Sequence, residues 1–208
     1  METGKEQIIS VEQMRKSDAY TIENFVSSKV LMYRAATGVY EAYKDWAGKR
    51  IAIIAGGGNN GGDGYALAGI LKKNGYDSII YKVSDKMSED GKYYCDIAKE
   101  LGVKIVDFTE TTSLAEYDVI VDCILGTGFS GEVRGRAKDA IKEINKSNAY
   151  VISVDINSGM NGDTGEAVTA VKSDLTVSIG YFKKGLFTKE AAKYIKEKVN
   201  VDIGIVLI

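Results

Sequence analysis

Apolar positions along the chain follow two different periods, and the change between them divides it. From residue 10 to residue 46 they recur at helical spacing. Ser10 and Gln13 stand at capping-box spacing, with Ile9 able to staple onto Met14. Val11, Met14, Ile22 and Phe25 then lie along one helical face, and Asp18 interrupts that stripe. An acid there is either a carboxylate at the edge of the stripe or a polar group aimed at a site or a subunit interface. A second helix is predicted over 29–46, burying Leu31, Ala35, Val39 and Tyr43, with the small Ala35, Ala36 and Gly38 allowing close packing.

After Lys49-Arg50 short apolar runs alternate with amphipathic stretches. Strands are predicted over 51–55, 78–83, 104–107, 117–125, 149–155, 174–179 and 199–206, and helices over 61–74, 88–101 and 136–146. That alternation means an α/β fold, a mainly parallel sheet with helices on both faces. The strands are apolar throughout, as both-sided cover requires. The two leading helices stand outside the repeat, where such additions cover a sheet edge or make a dimer. No repeat or linker breaks the chain, so residues 1–208 are expected to form one domain.

Composition removes several classes of function. With 45% hydrophobic and 27% charged residues the chain is an ordinary globular one. A net charge of −2 gives no bulk attraction for nucleic acid or an anionic membrane. Two cysteines without a CxxC pair, and a charged start over residues 1–7 without an apolar leader, point to the reducing cytoplasm. No apolar run reaches the length of a membrane span. There is no histidine, so acid–base chemistry falls to Asp, Glu, Lys, Tyr or Cys.

In an open parallel sheet ligands bind at the carboxyl ends of the strands. Three of these ends carry unusual residues. Gly56-Gly57-Gly58-Asn59-Asn60-Gly61-Gly62-Asp63-Gly64 follows a strand and opens a helix, the context in which glycines bring backbone N–H groups to a phosphate. No acid closes the next strand at Tyr81-Lys82-Val83-Ser84, which argues against an ordinary dehydrogenase. Asp122 closes another strand before Gly126-Thr127-Gly128-Phe129-Ser130-Gly131-Glu132, a second anion-binding loop. Cys123 beside it reads as a small buried apolar residue, since no activating base accompanies it. Asp155 closes a third, before Ile156-Asn157-Ser158-Gly159. A capping role explains one such acid, but Asn, Asp and Asp at three adjacent strand ends suggest a site. Asn60, Asp122 and Ser158 offer hard oxygens with one formal charge, which suits a monovalent cation such as K⁺ better than Mg²⁺.

Together these three motifs resemble the NAD(P)HX epimerase family, the YjeF N-terminal domain. The resemblance covers nearly the whole chain, including Leu31-Met32 and the closing Val201-Asp202-Ile203-Gly204-Ile205. It implies a Rossmann-like three-layer αβα sandwich and a homodimer. It implies interconversion of the R and S forms of hydrated NADH and NADPH (NADHX, NADPHX) at nicotinamide C6, coupled to an ADP- or ATP-dependent dehydratase. It puts the dinucleotide against Asn59, Asn60, Gly61, Gly62 and Asp63, against Gly126, Thr127, Gly128, Phe129, Ser130, Gly131 and Glu132, and against Asp155. It puts one K⁺ on Asn60, Asp122 and Ser158. Lys184-Gly185-Leu186 matches a Lys-x-Gly-Leu element without its usual proline. Asn157 also stands where the family has proline, and Tyr33 and Ala36 stand for an acid and a glycine. Asp155 is the expected proton shuttle and Lys184 the second choice. The alternative is a non-catalytic binding module of this fold, as in mRNA-decapping enhancers.

Overall fold

The computed structural model describes residues 7–208; the charged start over residues 1–6 lies outside the described residues. Strand β1 (Ile8–Ile9) leads into α1 (Val11–Asn24), where the Ser10 hydroxyl caps Gln13 N at 3.1 Å as its spacing predicts. Helix α2 (Ser28–Ala42) follows. The repeat then runs β2 (Ile51–Ala55), α3 (Asn59–Lys73), β3 (Ser78–Lys82), α4 (Glu89–Glu100), β4 (Lys104–Asp107), β5 (Val119–Cys123), α5 (Gly135–Lys146) and β6 (Tyr150–Val154). Strands β7 (Ser173–Ile179), β8 (Phe182–Lys183) and β9 (Ile195–Val201) close the chain, with two 3-10 turns between the last two.

Seven strands form one sheet in the order β4-β3-β2-β5-β6-β7-β9, and every neighbouring pair is parallel. The order reverses between β2 and β5, where Ile54 lies opposite Asp122 and Ala55 opposite Cys123. That switch point is where open α/β sheets bind ligands. Ile51, Ile53 and Ala55 face a core shared with α2, α3 and α4. Ala52 and Ile54 face a second core with α5 and the segment carrying Phe108, Leu114 and Tyr117. Alternate side chains of one strand thus enter opposite layers, which is why the run is apolar throughout. The result is a Rossmann-like αβα sandwich. Among the described residues, no helix is long and apolar enough to cross a membrane.

Three expectations move. The second helix stops at Ala42 rather than 46, because Tyr43 turns extended to pack edge-on against Trp46 and stack on Tyr150. Trp46 Nε1 then donates to Tyr40 O at 3.0 Å, serving a carbonyl that the helix end leaves free. The last strand is Ile195–Val201 rather than 199–206; it lies at the sheet's edge, and its Lys196-Glu197-Lys198 hides the strand behind edge charges. The buried residues of α1 are Ser17 and Thr21, not the apolar stripe. Their hydroxyls accept from Ile208 N and Val206 N, so α1 is fastened to the last residues through a polar seam.

Candidate active site

Met14 and Ile22 of the α1 stripe face a cleft of about 640 Å³ at the carboxyl ends of β2, β5 and β6. Met14, Asp18 and Ile22 of α1 and Leu31, Met32 and Ala35 of α2 form one wall. Gly57, Gly58, Asn59, Asn60 and Asp63 form another, and Gly126, Thr127, Gly128, Phe129 and Asp155 complete it.

The first loop can turn so tightly only because it is glycine. A Cβ on Gly56 would stand 1.8 Å from Ile124 O, and one on Gly61 would stand 2.1 Å from Gly56 O. Helix α3 opens at Asn59 with no side-chain cap, leaving first-turn N–H groups and the positive end of the helix dipole toward the cleft. Gly61 and Gly62 lie buried behind the loop. The two glycine loops meet at Gly126, where an added Cβ would lie 3.3 Å from Asn60 Cβ and 3.6 Å from Asp155 Oδ2. Ser130, Gly131 and Glu132 are exposed and do not line this cleft; Glu132 instead pairs with Lys138 at 3.1 Å.

Asp122 and Ser158 are wholly buried beneath the floor. Ser158 N donates to Asp122 Oδ2 at 2.9 Å, Ser153 Oγ to the same oxygen at 2.8 Å, and Ile124 N to Oδ1 at 3.2 Å. The Ser158 hydroxyl donates to Oδ1 and itself accepts from Leu125 N at 2.8 Å. Burial pushes the Asp122 carboxyl up, and these bonds oppose that shift. Asn60, which lines the cleft next to Gly126, is buried, yet neither its Oδ1 nor its Nδ2 has a partner. A buried amide without partners is costly. An oxygen-seeking monovalent cation such as K⁺ would serve the Asn60 Oδ1, though not its Nδ2, while the oxygens of Asp122 and Ser158 already accept from protein donors. Among the described residues, no group of three or more His, Cys, Asp or Glu is placed to hold a metal.

Asp155 is the only non-glycine with positive φ among the described residues, at +68°. Its N donates to Val177 O at 2.7 Å, which ties the kink to β7. Its carboxylate pairs with Lys183, not with Lys184. Lys183 is 1% exposed, and its ammonium also reaches Ile179 O at 2.7 Å and Ser178 Oγ at 3.3 Å. Lys184 is exposed, outside the cleft, and its candidacy as second shuttle passes to Lys183. The signal was present: Lys183-Lys184-Gly185-Leu186 puts the first residue of Lys-x-Gly-Leu at 183. The residue in the family's proline position also has a role. Asn157 Nδ2 donates to Val171 O at 2.9 Å and Ser173 Oγ at 3.0 Å, and its Oδ1 accepts from Thr176 Oγ1 at 2.6 Å. A side-chain network therefore holds the loop that proline would stiffen.

Three carboxyls share the cleft. Asp63 keeps only a partial opening toward it, and burial pushes its carboxyl well above the usual carboxylate range. The Asp155 and Asp18 charges add to that shift, and Lys183 opposes it. Burial also raises Asp18, with Asp155 adding and Lys183 opposing. Cys123 is pushed up by burial and by Asp122 and Asp63, which leaves it an inert thiol.

A family model described as YjeF-related protein N-terminus matches residues 28–185. A protein of Oenococcus oeni named NAD(P)H-hydrate epimerase is 37% identical over 204 residues, covering 95% of this chain and 96% of that protein. The bifunctional NAD(P)H-hydrate repair enzyme Nnr of Coxiella burnetii is 34% identical over 198 residues, covering 93% of this chain and 40% of its own length. The crystal structure of yeast ynu0 shares the fold, with a TM-score of 0.77 at 22% identity over 93% of this chain and 87% of that one.

Proposed function

The chain belongs to the family of the YjeF-related protein N-terminus, and from that premise we propose that it interconverts the R and S forms of hydrated NADH and NADPH. The observation that carries this reading is Asp155. Its left-handed backbone is a strained conformation for an aspartate, and it holds the carboxylate beside both glycine loops and against a buried ammonium. Strain of this kind collects at functional sites.

The N-terminus of α3 and the loop from Gly126 to Phe129 suit the dinucleotide's phosphates. Burial holds Asp63 near them toward its protonated form, which lessens its repulsion of those phosphates. Asn60, Asp122 and Ser158 would hold one K⁺, which when bound offsets phosphate charge. Asp155, kept in place by Lys183, moves the proton at the C6 oxygen. The bifunctional Coxiella relative supports coupling to a dehydratase. The exposed Tyr20, Phe25, Val30, Tyr33 and Tyr93 along the N-terminal helices and α4 support a homodimer. A cytoplasmic setting agrees with two buried free thiols.

The test starts from R-enriched hydrated NADH and follows the S form by chromatography. Wild-type protein should accelerate its appearance. Asp155→Asn should keep binding and lose about 10² to 10⁴ in turnover, the usual cost of removing a positioned acid–base group. Wild-type protein that binds the compound without speeding its epimerisation would instead be a binding module.

A further inference from the structure

Helix α1 brings to the cleft a carboxyl that neither glycine loop supplies. Asp18 is half-buried between Met14 and Ile22 on the face of α1 that lines the cleft. Among the described residues it has no hydrogen-bond or ion-pair partner, and the charges that act on it are those of Asp155 and Lys183. The Lys183 ammonium cannot serve it, since its donors are engaged by Asp155, Ile179 O and Ser178 Oγ. Nor does Asp18 fasten α1, because Ser17 and Thr21 do that from the adjacent side. Partial burial of an unpaired acid destabilises a fold. Here no structural contact offsets it, and the acid lies over the same cleft as Asp155.

Epimerisation needs chemistry on two sides of one carbon. Asp155 reaches the cleft from the strand ends, whereas Asp18 reaches it from the helical wall. We propose that Asp18 is the second acid–base residue of the reaction, acting at the face of C6 opposite Asp155; the proposal rests on the epimerase reading above. One carboxyl, carrying a proton, gives it to the C6 hydroxyl. The C6–O bond breaks with its electron pair leaving on water, and the ring nitrogen's lone pair forms the N1=C6 double bond. A water then adds from the other face, its oxygen pair making the new C6–O bond, while N1 recovers its lone pair. That water's proton passes to the second carboxylate. One proton has moved from one carboxyl to the other, and the reverse direction begins from that state. Burial holds Asp18 toward its protonated form, which suits the donor's part.

The experiment uses the whole chain, hydrated NADH of each epimer, and water labelled with ¹⁸O. Each carboxyl alone suffices to remove and return a hydroxyl on its own face, so exchange and inversion separate. Asp18→Asn should lower epimerisation by about 10² or more while one epimer still exchanges its hydroxyl with solvent. Asp155→Asn should show the mirror result, with exchange confined to the other epimer. Asp18→Asn that epimerises within a few-fold of wild type overturns the proposal, as does loss of exchange from both epimers while the variant still binds the compound. If wild type neither epimerises nor exchanges, the epimerase reading falls and this proposal with it. A wild type that epimerises beside an equally active Asp18→Asn removes this proposal alone.

Discussion

Replacing Lys183 by methionine leaves the chain's length and much of its volume and removes one buried ammonium. Three acceptors lose their donor at once: the Asp155 carboxylate, Ile179 O and Ser178 Oγ. Breaking a buried pair by deleting one partner costs about 3–5 kcal/mol. The Asp155 side chain keeps 17% exposure, so the lower end, about 3 kcal/mol, is the appropriate figure. An unfolding entropy of about 2.1 cal/mol/K per residue over 208 residues gives about 0.44 kcal/mol/K. The melting temperature should therefore fall by about 7 °C. Lys184→Met at the exposed neighbour should stay within about 1 °C, because surface changes remain inside roughly 0.5 kcal/mol. Thermal unfolding followed by circular dichroism measures both. The double variant Lys183→Met with Asp155→Asn should melt above Lys183→Met alone, since the stranded charge is gone. Equal melting temperatures for the two lysine variants, or no recovery in the double variant, would refute the pairing argument.

Asp63, raised by burial, makes stability fall with rising pH. Above about pH 4 an unfolded aspartate has lost its proton while the folded one keeps it, so the folded state binds more protons and weakens as pH rises through that window, by at most about 1.4 kcal/mol per pH unit. Urea unfolding between pH 5 and 8 should show a flatter dependence for Asp63→Asn; parallel curves would count against a proton-bearing Asp63. Potassium chloride should raise the melting temperature above that in tetramethylammonium chloride at equal ionic strength, and Asn60→Ala should erase the difference. A salt effect identical in both proteins would place no K⁺ on Asn60. Light scattering should give twice the chain mass for wild type and the chain mass for Phe25→Glu, which alters a side chain 64% exposed; a wild-type monomer at high concentration would end the dimer proposal.

The central strands were readable because both their faces are covered, so Ile51–Ala55 and Val119–Cys123 show as apolar runs. The edge strand Ile195–Val201 was not, since solvent on its open side lets lysine and glutamate replace apolar residues. Asp122 and Asp155 were legible from their places at strand ends, and Asp63 from the glycine-rich opening of α3, but the three do not share one environment. Asp122 is sealed beneath the floor by serine hydroxyls, which no spacing in sequence reveals. Lys183 was missed by one residue, because β8 is only two residues long and carries no periodicity to show which lysine turns inward. What covers the stripe on α1 was not legible either. Periodicity reports an apolar face without saying whether protein or ligand covers it.

The seam that joins Ser17 and Thr21 to Ile208 and Val206 sets the order in which this molecule can become active. Val206 follows Thr21 by 185 positions, so at about 5–20 residues per second α1 leaves the ribosome roughly 10–40 s before its fastening exists. Strand β1 waits almost as long for Phe182 and Lys183. The glycine loops and central strands can assemble meanwhile, but the helix carrying Asp18 cannot be fixed over them. Until Val206 and Ile208 have emerged, the growing chain holds a binding loop without its helical wall, and Met14 and Ile22 remain open to whatever chaperone or second chain meets them first.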